Sequence, residues 1–235
     1  MQTTLPRALA AECVGTLLLL AAVVGSGIMG ERLAGGNLAV ALLANTLATG
    51  AALIALILTF GPVSGAHLNP AVTIADASQG GIGWSRAAGY VVAQVIGAIA
   101  GVMVAHLMFD EPLLMSSTHA RSGVSQAFSE FVATFGLVVV IWSVSRRRAT
   151  VVPFAVAAYI TAAYWFTAST SFANPAVTVA RAFTDTFAGI RPSDVPAFIA
   201  AQVAGAMVAT IFCRWLVPSL PADAGDLVVP HGQAR

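Results

Sequence analysis

The 235-residue sequence has no lysine, and all of its eleven basic residues are arginine. A P-loop lysine and a Schiff-base lysine are both excluded, which argues against ATP-driven transport and imine chemistry by this chain. Charge of either sign is scarce: 9% of residues are charged and the net charge is +1, so electrostatics give no case for nucleic acid as a partner. Cysteine is limited to Cys13 and Cys213, near the ends of the first and last apolar stretches, where small thiols pack as inert residues. The histidines, His67, His106, His119 and His231, show no metal-ligand spacing. No metal site, cofactor or catalytic set is assigned, and the chain does not read as an enzyme.

Apolar sequence dominates. Hydrophobic residues make up 58% of the chain, and the mean hydropathy is +0.85, which is too apolar for a soluble domain. Six stretches, near residues 8–30, 38–60, 84–108, 123–145, 149–168 and 195–217, are long enough to cross a hydrocarbon core of about 30 Å at about 1.5 Å per helical residue. The first carries Glu12 and lacks a removable signal design, so it is expected to stay as a helix. Arg7, Arg86 and Arg146–Arg148 fall on one side of an even number of crossings. The positive-inside rule then puts both termini in the cytoplasm.

Asn69-Pro-Ala-Val-Thr-Ile-Ala-Asp76 recurs as Asn174-Pro-Ala-Val-Thr-Val-Ala-Arg181. Asn is a favoured N-cap and Pro is tolerated in a first helical turn, so Asn69-Pro70-Ala71 and Asn174-Pro175-Ala176 each open a helix. The following segments, Val72–Ser78 and Val177–Phe187, are too short to span the bilayer. A helix starting at membrane depth must face protein or a water-filled cavity, which points to a pore. Glu12 and Glu130 stand at matching places in the two halves, as do the stretches beginning at Ala93 and Ala201. Three spans per half make the repeat inverted, so the short helices enter from opposite faces and meet near the midplane. The expected fold is an all-α membrane protein of six transmembrane helices plus two half-helices. It forms one channel domain over residues 1–220, with halves of about 1–110 and 121–220 and a flexible tail over 221–235. Gly97-xxx-Gly101 and Gly205-xxx-Ala209 have the spacing for close helix approach. The four tryptophans, Trp84, Trp142, Trp165 and Trp215, are read as an interfacial belt.

With these residues the chain resembles the aquaporin and aquaglyceroporin (major intrinsic protein) family from Glu12 to about Pro218, and Ser64–Thr73 is similar to the family's first pore loop throughout. The resemblance implies a homotetramer with one pore per subunit. It also implies carbonyls from Gly65–Leu68 and Thr170–Ala173 lining that pore, with the His67 ring packed behind its loop. A four-residue constriction is carried over by counting from the motifs to Thr49, Ala162, Ser171 and Val177. Typical members have Arg at the last position, so this ring is wide, mildly polar and uncharged. That departure resembles the arsenic-associated aquaglyceroporins of bacteria.

Arg181 lies one turn beyond Val177 and has two readings. It either places positive charge in the external vestibule, or it reaches headgroups or pairs with Asp185. Glu12 and Glu130 are read as acceptors fastening the pore loops, against a proton-relay alternative. Residues Asp110–Arg121 are read as an external loop without a role. The function expected is a passive channel for small uncharged solutes: glycerol-like polyols, urea, metalloid hydroxides such as arsenite, and water. It would sit in the cell inner membrane with the lipid bilayer as its surroundings. The alternatives are a channel mainly for water, a proton-coupled secondary transporter, and a structural membrane protein with a closed pore.

Overall fold

Pro6 stands in the first turn of α1 (Leu5–Leu33), where its missing N–H costs nothing. The structure, a computed structural model, describes residues 4–216; the tail read over 221–235 lies outside them. Asn37 caps α2 (Leu38–Ser64), its Oδ1 accepting from the amides of Ala39 and Val40, and Gly65 at φ 89° ends that helix. This span runs past Pro62 to Ser64 because Ser64 is held on both sides. Its hydroxyl donates to Glu12 at 2.6 Å and its carbonyl accepts from the Tyr90 hydroxyl at 2.9 Å.

The half-helix α3 (Pro70–Ser78) follows, then α4 (Trp84–Phe109). The second half repeats the order as α5 (Val124–Arg148), α6 (Val152–Phe166), the half-helix α7 (Pro175–Arg181) and α8 (Val195–Leu216). Among the described residues, five stretches are long and apolar enough to cross a membrane, the fourth being the 43 residues Val124–Phe166. A 3-10 turn at Ala149–Val151 breaks that stretch. α6 folds back on α5, with the Tyr159 hydroxyl donating to the Val132 carbonyl at 3.3 Å, which makes six crossings.

Packing repeats across the halves. α1 lies against α2 and α4, and α5 lies in the same way against α6 and α8; α2 meets α6 between the halves. Each half-helix touches the third span of both halves, α3 on α4 and α8, α7 on α8 and α4. A Cβ on Gly97 or Gly101 would collide with the carbonyls of Cys13 or Leu17, and one on Gly205 with the carbonyl of Phe131. The missing side chains set how closely α1 approaches α4 and α5 approaches α8, in a medium where packing replaces the hydrophobic effect.

Trp84, Trp165 and Trp215 are exposed, as an interfacial belt requires, but Trp142 is 3% exposed. It packs with Ala71, Ala75, Val138, Ala206, Ala209 and Cys213, so it wedges α3 against α5 and α8 rather than facing headgroups. The second half-helix stops at Arg181, short of the expected Phe187. The chain turns back there, the amide of Ile190 donating to the Arg181 carbonyl at 3.2 Å and Arg181 Nε donating to the Ala188 carbonyl.

Candidate functional site

The two loops that precede the half-helices have backbone conformations that side chains disfavour. Ala66 and Leu68 lie at φ 47° and 48°, and Thr170, Ser171 and Ala173 at 60°, 50° and 48°. A left-handed non-glycine residue costs roughly 1–2 kcal/mol, so these loops need external support. Glu12 and Glu130 supply it. Glu12 Oε1 accepts from the Ser64 hydroxyl and the His67 amide at 2.6 and 3.0 Å, and its Oε2 accepts from the Leu68 amide and Gln94 Nε2, both at 2.7 Å. Glu130 accepts from the amides of Phe172 and Ala173 at 2.8 Å each and from Gln202 Nε2 at 2.6 Å. The glutamines repeat the symmetry: Gln94 donates to Thr73 at 3.0 Å and Gln202 to Thr178 at 2.8 Å. Each bond to a buried carboxylate contributes about 1.5–3 kcal/mol, enough to offset the strain.

Asn69 and Asn174 cap α3 and α7 through Oδ1, which accepts from Ala71 in one case and from Ala176 and Val177 in the other. Their Nδ2 groups cross between halves. Asn69 donates to the Ala173 carbonyl at 2.7 Å and Asn174 to the Leu68 carbonyl at 2.8 Å. Each amide has two hydrogens and spends one on this bridge. The His67 ring turns away from the loop's inner side, its Nδ1 3.1 Å from the Thr73 hydroxyl, its Nε2 3.5 Å from Asp76 and its edge on Tyr90.

Both asparagines line a cavity of about 70 Å³. One wall is aliphatic: Leu19 and Val23 of α1, Leu53 and Ile57 of α2, Leu137 and Ile141 of α5, and Val156 and Ile160 of α6. The other is the polar stripe formed by residues 66–69 and 171–174. At roughly 10–15 Å³ per water this space holds about five to seven.

Thr49, Ser171 and Val177 line it as well, together with Arg181. Ala162 does not. It is exposed on the outer face of α6, because at about 100° per residue it sits on the opposite side of the helix from Ile160 and Tyr164. Tyr164 lines the cavity where the count places Ala162, and its hydroxyl donates to Thr49 Oγ1 at 3.3 Å. An aromatic residue therefore stands beside Thr49 at the cavity wall.

Arg181 is 2% exposed, which removes the headgroup reading, and Asp185 is engaged elsewhere, accepting from the Thr118 amide and hydroxyl at 2.7 and 2.9 Å. Its guanidinium lies 3.5 Å from the centroid of the Phe172 ring, and its Nη1 has no protein partner. Arg121, assigned no role from sequence, turns inward from the 110–123 loop. It donates through Nε to the Gly189 carbonyl at 2.8 Å and through Nη1 to the Ser169 carbonyl at 3.1 Å, and it lies 5.0 Å from the same Phe172 ring. Burial lowers its pKa to about 10, with Glu130 and Tyr164 favouring the charged form, so it is a cation at neutral pH.

A family model described as "Major intrinsic protein" matches residues 1–158. The chain is 55% identical over 218 residues to aquaglyceroporin AqpS of Rhizobium meliloti (strain 1021), covering 92% of this chain and 93% of that one. It is 35% identical over 143 residues to aquaporin NIP6-1 of Arabidopsis thaliana, covering 60% and 46% respectively. The X-ray structure of the aquaglyceroporin from Plasmodium falciparum has the same fold, with a TM-score of 0.70 at 20% identity, covering 93% of this chain and all of that one. Six crossings, a duplicated and cross-bridged Asn-Pro-Ala pair on the wall of one cavity, and similarity along nearly the whole sequence make this chain a member of the major intrinsic protein family.

Proposed function

We propose that the cavity between Asn69 and Asn174 is the path of a passive channel for small uncharged solutes, glycerol-like polyols first among them. The observation that carries this is a cavity lined on one side by the pore-loop residues 66–69 and 171–174 and on the other by aliphatic side chains. A polyol lays its carbon chain on the wall and exchanges its water bonds for carbonyls and asparagine amides. An ion receives no comparable replacement for its hydration, a deficit of several kcal/mol. Arsenous acid, compact and neutral with three hydroxyls, meets the same chemistry, and so does water.

The ring of Thr49, Tyr164, Ser171 and Val177 is the constriction in this reading, with Arg181 supplying the charge that position 177 lacks. Proton coupling is disfavoured, because each glutamate is committed to loop amides and a glutamine. We further place the chain in the inner membrane as a homotetramer, and the positions of Arg7, Arg86 and Arg146–Arg148 on one side of six crossings support both termini being cytoplasmic.

Proteoliposomes containing the purified chain, mixed into a glycerol or arsenite gradient, test the function. A polyol channel gives shrinkage followed by solute-driven recovery. Shrinkage without recovery identifies a channel for water alone, and saturable uptake driven by a pH gradient identifies a coupled transporter.

A further inference from the structure

We propose that the Arg181 end of the lumen binds a compact oxyanion carrying a single negative charge, of the formate or nitrate kind, on Arg181 Nη1 and Ser171 Oγ. The site rests on the reading of this cavity as the solute path, but it takes a class of ligand that reading does not include.

The observations are two unspent donors and an uncompensated charge. Arg181 Nη1 and Ser171 Oγ are both buried, both belong to residues lining the cavity, and neither has a protein partner. On its far side the guanidinium is held by the Ala188 carbonyl and the face of Phe172, which fixes the plane of its fork. Among the described residues no carboxylate pairs with it. Asp185 accepts from Thr118, and Asp194 accepts from the Arg121 amide and from Arg191. Glu130, which accepts from the Phe172 amide itself, is taken up by two amides and Gln202. Arg121, on the same aromatic ring, adds a second positive group. Two cations against one carboxylate leave this end of the lumen positive by about one charge.

A guanidinium fork beside a hydroxyl matches oxygens on a planar centre better than it matches a spherical halide. The cavity's volume of about 70 Å³ limits the ligand to a few heavy atoms, and the single excess charge limits it to one negative charge. The anion completes the partners that Arg181 lacks.

The test uses the purified full-length chain in liposomes. Glycerol permeation is measured while sodium formate replaces sodium gluconate, an anion too large for the cavity, at constant ionic strength. Formate is expected to slow glycerol flux saturably. Arg181→Gln should raise the half-effective formate concentration about tenfold or more, the equivalent of one charge-assisted hydrogen bond. Ser171→Ala should raise it less, and Arg181→Lys should fall between the wild type and Arg181→Gln, because it keeps the charge and loses the planar fork.

A second readout is the thermal midpoint in detergent, which formate but not gluconate should raise by mass action in the wild type. This readout does not depend on conduction, so a chain that passes no glycerol would overturn the channel reading and leave the anion site measurable. Wild-type flux and midpoint both indifferent to formate would overturn the proposal. So would a formate response unchanged in Arg181→Gln or, if that variant does not fold, in Ser171→Ala.

Discussion

Replacing Glu130 with glutamine keeps the size of the side chain and removes its charge, which separates scaffolding from proton transfer. The carboxylate accepts three bonds, from Phe172 N, Ala173 N and Gln202 Nε2 at 2.8, 2.8 and 2.6 Å. A glutamine that keeps its oxygen toward Ala173 and Gln202 must aim its NH₂ at the Phe172 amide. That loses one charge-assisted bond of about 1.5–3 kcal/mol and weakens the other two by about 1 kcal/mol each. Easier burial of a neutral group returns part of this, leaving a net loss of about 2–4 kcal/mol. At roughly 2–4 °C per kcal/mol for a chain of this size, the thermal midpoint should fall by about 4–16 °C. Thr170, Ser171 and Ala173, held at positive φ, should relax and glycerol flux should drop with them. Glu12→Gln provides an internal comparison: its carboxylate accepts four bonds, so the loss should be at least as large. A midpoint unchanged in both variants, combined with flux that has lost or gained a dependence on a pH gradient, would refute the scaffolding argument and restore the proton-relay one.

Val177→Arg should reduce glycerol passage more than water passage, because it adds a second guanidinium to the cavity that Arg181 already lines; proteoliposome swelling with the two cargoes checks it. Ala162→Phe should leave glycerol flux within about twofold of wild type, since position 162 faces away from the lumen and an exposed apolar exchange is nearly neutral. Tyr164→Ala should widen the path and speed larger polyols such as erythritol relative to glycerol. Slowed glycerol in Ala162→Phe together with unchanged erythritol in Tyr164→Ala would return the constriction to Ala162. In the loop ending at Arg191, Asp185 is held below the ordinary aspartate pKa of 3.8 by the hydrogen bonds from Thr118. A depressed carboxylate contributes stability that is complete above that ordinary value and is lost as pH falls through the lower, folded one. Hydrogen exchange at the Thr118 amide should therefore stay slow near neutrality, beyond the intrinsic change with pH, and lose its protection only in acid below pH 3.8.

Much of this architecture is written in local chemistry. The asparagine cap and the first-turn proline fix where α3 and α7 begin without reference to the rest of the fold, and their duplication implies inversion through an odd number of spans. Glu12 and Glu130 were equally legible, because a carboxylate in an apolar span needs donors and the irregular loops offer them. The features that escaped depend on distant chain segments. Tyr164 faces the lumen because of how α6 is rotated, which the 3-10 turn at 149–151 and the loop at 167–173 decide jointly. Arg121 looks like an ordinary loop residue until Gly189 and Ser169, 68 and 48 positions away, close around it. Arg181 is buried only because residues 182–190 double back over it. Trp142 sits near a span end like its three counterparts, and only the wedge of α3 behind α5 distinguishes it from them.

The crossed bridge from Asn69 to Ala173 and from Asn174 to Leu68 joins groups 104 and 106 positions apart. During biosynthesis the first three spans emerge from the ribosome with the Asn69 amide and the Leu68 carbonyl lacking their final partners, while the second set is still being translated. Neither repeat closes its own tip, so correct insertion of the later half is the step that finishes the earlier one. A nascent chain stalled before position 174 would present an open polar wound to the bilayer and mark itself for quality control.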